Sequence, residues 1–326
     1  MTNILIFIIA ILVIATLVQI VRVSELLSEI KNKDVNEVTD KDNNTQGLLF
    51  LVVGFGFLIF VIWQMITWNH LLLPPASSVH GTQIDLLMKV SMGLIIVVFF
   101  ITSPLLFYFA FKYRGKKSNN AYFLSHNNKL EVVWTVIPTI ILTGLIIFGL
   151  KTWDNAMNVQ VTESTKLIEV YAKQYNWTAR YSGLDNKLGK ANYKLVKGKN
   201  TLGVDMLDIN SADDKMAREV HLVVNEPVLL KFRSQDVIHS AFLPHFRVQM
   251  NCVPGITTQF GFTPNKTTAQ MKESEGEDFE YVLLCNKICG ASHFNMQMKF
   301  IVETQEEYDI WIASQENLEK KLLTQK

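Results

Sequence analysis

The sequence predicts an α+β membrane protein, with about four N-terminal transmembrane helices followed by an outward-facing β-sandwich. Three observations predict it. The first half holds four apolar runs of near bilayer-spanning length, its basic residues gather in alternate loops, and the second half is polar and reads as short strands. The chain has 326 residues, 49% of them hydrophobic, with a formal net charge of +1. Charge this close to balance leaves no basic footprint, which argues against a nucleic-acid partner. Three cysteines are too few for a disulfide scaffold.

The apolar runs cover residues 4–21, 48–68, 90–111 and 132–150, and none contains Lys, Arg, Asp or Glu. Each approaches the ~20 residues that span a bilayer as helix. A helix apolar on every face belongs in lipid, so membrane lipid is the first expected partner. The first run lacks a basic leader and a small-residue cleavage site, so it reads as a helix rather than a signal peptide. Gly54-Phe55-Gly56 in the second run offers a small-residue face for close contact with another membrane complex. Pro138 should kink the fourth.

Orientation follows from the loops. Arg22, Lys31, Lys33 and Lys41 separate runs one and two, and Lys112, Arg114, Lys116, Lys117 and Lys129 separate runs three and four. Residues 69–88 carry no Lys or Arg. The positive-inside rule puts both basic loops in the cytoplasm and everything after Leu150 outside. Residues 24–44 read as a solvated connector, with Glu29 and Lys33 spaced to support a helix.

From Lys166 the pattern changes to strands. Residues 167–181 read as one strand with Tyr171, Lys173, Tyr175, Trp177 and Tyr181 on one face. Residues 183–219 form a polar excursion, basic first and acidic later, read as a solvated face or a docking surface. Residues 220–232 and 281–285 read as apolar strands. Residues 304–325 suggest a terminal helix packing Tyr308, Trp311 and Ile312 against the sandwich. The expected division is 1–80 for two helices with their connector, 81–151 for a helical hairpin, 152–315 for the outer domain and 316–326 for a tail.

The chemistry concentrates in Cys285-Asn286-Lys287-Ile288-Cys289-Gly290-Ala291-Ser292-His293-Phe294-Asn295-Met296. Thiolate and thioether are soft ligands and imidazole suits copper, so this set points to copper before iron, zinc or magnesium. Upstream, His239 in Asp236-Val237-Ile238-His239 offers a second imidazole. Two Cys, two His and one Met would hold two copper ions with both sulfurs bridging. Two other readings stay open: a disulfide between Cys285 and Cys289, and a tetrahedral zinc site from Cys285, Cys289, His293 and His239. Cys252, left over, reads as a buried small apolar side chain.

With His239 ahead of it, this loop resembles the dinuclear copper (CuA) signature of subunit II of haem-copper cytochrome c oxidases. The resemblance implies a cupredoxin-like outer domain. It implies that Cys285 and Cys289 bridge two coppers, that His239 and His293 each bind one, and that Met296 and the carbonyl of Lys287 are weak ligands. It also implies partners: catalytic subunit I, which holds the haem, subunit III, and a c-type cytochrome donor. The expected setting is a bacterial cytoplasmic membrane with the copper domain in the periplasm, and oxygen reduction coupled to proton translocation. Residues 81–151 resemble the family's anchoring hairpin, and the first two helices are additional. Glu131, three residues before Trp134, matches the glutamate at the mouth of a proton path. The family's tryptophan that receives the electron falls at Tyr175, while Trp177 and Tyr181 keep the pattern, which implies an electron-accepting role near Tyr175 and Trp177.

Three departures from the family carry consequences. Lys287 replaces a glutamate that binds magnesium, and a cation cannot ligate it, so this chain gives no carboxylate to such an ion. Gln249 and Asn251 replace a lysine and an aspartate before Pro254-Gly255. The basic start of the polar excursion would repel a soluble basic cytochrome, which points to a donor tethered to the membrane or held in a supercomplex. A nitric-oxide reductase subunit is the alternative reading from another enzyme. A metal-free quinol-oxidase type is the structural one, and the two cysteines speak against it.

Overall fold

The computed structural model describes residues 2–30, 38–158, 161–162, 164–318 and 320. Lys31, Lys33 and most of the expected tail lie outside the described residues. The chain divides into two compact units. One holds the chain up to His70 together with Ile95–Asn127, and the other holds Leu71–Leu94 with everything from Asn128 onward.

The first unit contains α1 (Thr2–Ile30), α2 (Asp40–Trp68) and the later part of α3 (Val79–Lys112). Both α1 and α2 outrun their apolar cores, because flanking polar residues continue the hydrogen-bonded turns. A capping box opens α2: Thr39 Oγ1 accepts from Asp42 N, and Asp42 accepts in return from Thr39 N. Asp40 and Asp42 also set negative charge at the helix N-terminus. Gly54 faces Phe107 of α3 so closely that a Cβ would run into the ring. Phe57 and Phe99 meet edge-on at 6.4 Å. The Gly54 face expected to receive another complex is therefore filled from within the chain, and of the pair only Gly56 looks onto open space. Hydrophobic side chains of α1 are exposed along its length, as a helix solvated by lipid requires.

In the second unit, α4 (Asn128–Met157) runs unbroken through Pro138 and leads to a sandwich of two five-stranded sheets. One sheet has the order β3 (Lys215–Ala217), β2 (Asn176–Tyr181), β1 (Lys166–Lys173), β5 (Val228–Ser234), β8 (Thr258–Phe262). The other has the order β4 (Val220–Val223), β10 (Gln297–Glu303), β9 (Tyr281–Cys285), β6 (His239–Leu243), β7 (Val248–Cys252). The pairs β1–β5 and β4–β10 are parallel and the remainder antiparallel. Between the sheets lie Ile168, Val170, Leu230, Phe232, Phe246, Leu283 and Phe300, all buried. The expected loop over residues 69–88 is shorter than the charge pattern suggested, because α3 already starts at Val79.

Residues 167–181 are not one strand. They fold into the β1–β2 hairpin across Gln174–Tyr175, with Tyr171 opposite Thr178 and Ala172 opposite Trp177. Directly opposed residues share a face, so the turn moves Tyr171 to the face away from Trp177 and Tyr181. Trp177 and Tyr181 enter the main core, while Tyr171 packs with Leu202, Val204 and Leu318 on the other side. No Gly, Pro or Asn-Gly signal marks this turn, and the alternation of residue types runs straight through it.

The basic part of the polar excursion is a solvated face, with Lys187, Lys190, Lys194, Lys197 and Lys199 exposed, while the acidic part is ordered. Its acids hold backbone donors: Asp213 accepts from Leu184 N and Asp185 N, Asp208 from Lys190 N, and Asp214 from Gly189 N. Beneath it, Arg180 bonds Glu169 at 2.7 Å and Asp214 at 2.9 Å, and Arg233 also pairs with Glu169. All four are largely buried, and each charge has an opposite partner, the condition under which burial is tolerable. Burial acts to raise the Glu169 carboxyl, but Arg180 and Arg233 outweigh it and hold it below the usual range. Two short helices complete the unit, α5 (Thr268–Glu275) and α6 (Gln305–Ser314). In α6, Tyr308 is buried, and Trp311 stacks on His221 with centroids 3.9 Å apart.

Candidate metal centre

Two chain segments meet at one end of the second sheet. Cys285 closes β9, and β6 opens with His239. The pairing of Ala241 with Cys285 brings the two strand ends together. The loop from Cys285 to Met296 is closed by Cys285 N donating to Met296 O at 3.1 Å, and is tied to β6 by Asn286 N donating to Ser240 O at 2.9 Å. Gly290, at φ +136°, makes the bend that an L side chain rarely adopts.

The donors converge on a pair of sulfurs. Cys285 Sγ and Cys289 Sγ lie 3.7 Å apart as free thiols, well beyond disulfide bonding distance. Cys285 Sγ has His239 Nδ1 at 3.8 Å and the Lys287 carbonyl at 3.3 Å. Cys289 Sγ has His293 Nδ1 at 3.6 Å and Met296 Sδ at 3.9 Å. The Lys287 side chain is exposed, so its carbonyl is what reaches the site. His239, Cys285 and Cys289 place their ligand atoms within 4.8 Å of one another, and His293 falls outside that group. One tetrahedral ion needs all four ligands around a single point, so the zinc reading fits this spread poorly. Burial and the neighbouring Cys285 push the Cys289 thiol up to about 11.

The imidazole of His239 is oriented from behind. Its Nε2 lies 2.9 Å from Asp236 Oδ1, which turns Nδ1 toward the sulfurs. Burial works to raise the Asp236 carboxyl, but N–H bonds from Gln174 N, His239 and Val237 N outweigh it and hold it low. Trp177 stands edge-on to His239 at 6.0 Å, and its Nε1–H points to Met296 O at 3.4 Å.

The β1–β2 turn lies against the ligand loop. Gln174 Nε2 donates to Cys289 O at 2.5 Å, and Tyr175 OH accepts from Ala291 N at 3.0 Å. Gly290 makes room for that phenol, since a Cβ there would collide with it. Gln174 carried no signal in the sequence, because its role depends on a turn that the alternation concealed. Cys252 faces His239 across the β6–β7 pair, fully buried, and burial pushes its thiol up to about 12. Glu131 is not brought to this cluster. It sits in the first turn of α4, a helix of 30 residues that is about 45 Å long and leads to the sandwich from its other end.

The residues present suit copper. Soft sulfur and imidazole donors predominate, the cluster is largely buried, and the carboxylate nearby serves a ligand from behind.

Two family models match the chain: cytochrome c oxidase subunit II, transmembrane domain, over residues 66–152, and cytochrome c oxidase subunit II, periplasmic domain, over residues 167–304. The alternative cytochrome c oxidase subunit 2 of Bradyrhizobium diazoefficiens is 27% identical over 272 residues, covering 82% of this chain and 91% of that protein. The cytochrome c oxidase subunit 2 of Cereibacter sphaeroides is 26% identical over 250 residues, covering 73% and 78%. A crystal structure of the periplasmic domain of subunit II of a Bradyrhizobium japonicum cytochrome oxidase aligns with a TM-score of 0.33 at 24% identity. It covers 50% of this chain and 99% of that one.

Proposed function

The chain belongs to the cytochrome c oxidase subunit II family, and we propose that Cys285, Cys289, His239, His293, Met296 and the Lys287 carbonyl hold two copper ions as a one-electron relay. The oxygen chemistry belongs to the haem-copper oxidase complex rather than to this chain alone. One observation carries the reading: two thiols 3.7 Å apart, each with an imidazole nitrogen and a weaker donor beside it. Bound there, copper supplies a carrier that gains and loses single electrons.

The protein's own residues supply rigidity and access. Asp236 fixes the face that His239 presents, Trp177 braces Met296 through its main chain, and Gln174 and Tyr175 tie down the loop between the cysteines and His293. A ligand set held on strand ends and braced from outside moves little between redox states, which keeps electron transfer fast. Tyr175 is half-buried and bonded directly to the ligand loop, so electrons enter near Tyr175 and Trp177. The donor is a c-type cytochrome tethered to the membrane or held in a supercomplex. The acceptor is haem in subunit I, with subunit III completing the assembly. Glu131, at the cytoplasmic start of α4, serves the mouth of a proton path. Lys287 gives no carboxylate to a magnesium ion. Residues 1–80 add two helices to the anchoring hairpin of 81–151, residues 152–315 form the copper domain, and 316–326 are a tail. The setting is a bacterial cytoplasmic membrane with the copper domain in the periplasm.

The test is the copper content and paramagnetic spectrum of the purified chain. Two coppers per chain sharing one unpaired electron are expected. A single copper, or a Cys285–Cys289 disulfide in the working complex, overturns the reading.

A further inference from the structure

We infer that Arg247 is a positioning residue for electron hand-over, fixing the hairpin that carries His239 to the outward end of α3. Arg247 lies in the turn between β6 and β7, and its backbone is left-handed at φ +55°. That region is uncommon for a residue other than glycine, so a side chain kept there calls for a reason. The guanidinium supplies one. Nε donates to Asp85 Oδ1 at 2.8 Å and Nη2 to Asp85 Oδ2 at 2.9 Å, a two-pronged pair with a carboxylate on α3. Nη2 also donates to Pro74 O at 2.6 Å, and Nη1 to Pro244 O at 2.5 Å. The Arg247 side chain is only 8% exposed, so these bonds are sheltered from competing water.

The neighbouring main chain joins the same junction. Ser77 N donates to His245 O at 2.7 Å, Ser78 Oγ to Phe246 O at 2.7 Å, and Val79 N to Thr263 O at 3.0 Å. These contacts tie the loop before α3 and the first residue of the helix to the sandwich, and His80 Nε2 lies 3.4 Å from Arg247 O, while the Arg247 side chain reaches further into the helix, to Asp85. From Arg247, β6 leads back to His239 at its far end, and β9 beside it ends in Cys285. A route of paired strands and two hydrogen bonds therefore links α3 to two of the proposed ligands. Electron tunnelling falls off exponentially with distance, so a hairpin free to rock would slow transfer into a neighbouring haem without altering the copper site itself.

The inference rests on the relay reading, and the assembled oxidase tests it. The variants are Arg247→Gly, which keeps the left-handed turn without strain, and Asp85→Asn. Copper-to-haem transfer is followed by rapid kinetics, and nitroxide labels at Met88 on α3 and Ile256 beyond β7 report the junction. Both variants should slow copper-to-haem transfer by about tenfold or more, as small misplacements do in preorganised sites. The copper spectrum and its reduction by the donor should stay unchanged, and the label distances should broaden. An unchanged transfer rate overturns the inference, including the case where the distances broaden, since Arg247 would then serve the fold alone. A wild-type complex with no copper-to-haem transfer defeats the relay reading itself, and is told apart because the unmodified protein shows it.

Discussion

Tyr175 shows how much one phenol oxygen can contribute to a metal loop. It accepts from Ala291 N, two residues beyond Cys289, and its ring occupies the space Gly290 leaves. Tyr175→Phe keeps the ring and removes the acceptor. The Ala291 N–H then turns to water, and the expected loss is about 1 kcal/mol of domain stability, with faster copper release to a chelator. Unchanged release kinetics would show that the loop is held by Gln174 and its own backbone. Asp214 offers a test at a distance from the metal. Burial lifts its carboxyl from 3.8 to about 6, against the pull of Arg180, and Oδ1 has no hydrogen-bond partner. A folded pKa above the unfolded one means that the folded state holds the proton more tightly. The stabilisation is thus fully present below pH ~4 and lost as pH rises through ~6. Denaturant titrations between pH 4 and 7.5 should show this fall in the wild type and a flatter profile in Asp214→Asn. Parallel profiles would place the slope elsewhere.

Among the elements, legibility followed the length and purity of the pattern. The four helices were readable because runs of uncharged residues allow no other structure in lipid, and only their ends shifted where polar flanks stayed helical. The ligand loop was readable because Cys, His and Met crowd into twelve residues. The β1–β2 hairpin was not, since a two-residue turn without Gly or Pro leaves alternation intact while reversing which face Tyr171 shares. The acids of residues 205–214 looked like free surface charge. Nothing local tells a carboxylate that caps a distant N–H from one that faces water. Helix α4 carries the prediction at this scale. Its first turn holds Glu131, two residues after the basic Lys129, and the helix packs on β8 of the sandwich. If Glu131 feeds a proton path, Glu131→Ala should lower oxidase turnover several-fold while the copper spectrum stays as in the wild type. Turnover equal to wild type removes the residue from the path and leaves it a favourable charge at a helix N-terminus.

At the scale of the molecule, two solvents hold two kinds of structure. The four spans expose their side chains to lipid and satisfy their backbone within each helix, so they need no metal to stay folded. The sandwich has a core of its own, but one end is a loop with a single 3-10 turn at His293–Asn295, joined through a backbone bond to Ser240 and side-chain bonds from the β1–β2 turn. Donors from β6, β9 and that loop converge only in the folded chain, so copper binding and folding of this end are linked. A ligand bound to the folded state alone stabilises it by about 2.7 kcal/mol when present at a hundred times its dissociation constant. Copper removal should therefore lower the thermal midpoint of the β-sheet signal by several degrees and leave the helical signal of the detergent-solubilised chain in place. Cys289→Ser, which removes one proposed bridging sulfur, should abolish the difference between the metal-loaded and metal-free midpoints. A β-sheet midpoint indifferent to copper in the wild type would mean that the strand ends hold the ligand geometry unaided, and that the metal is a passenger on a frame already complete.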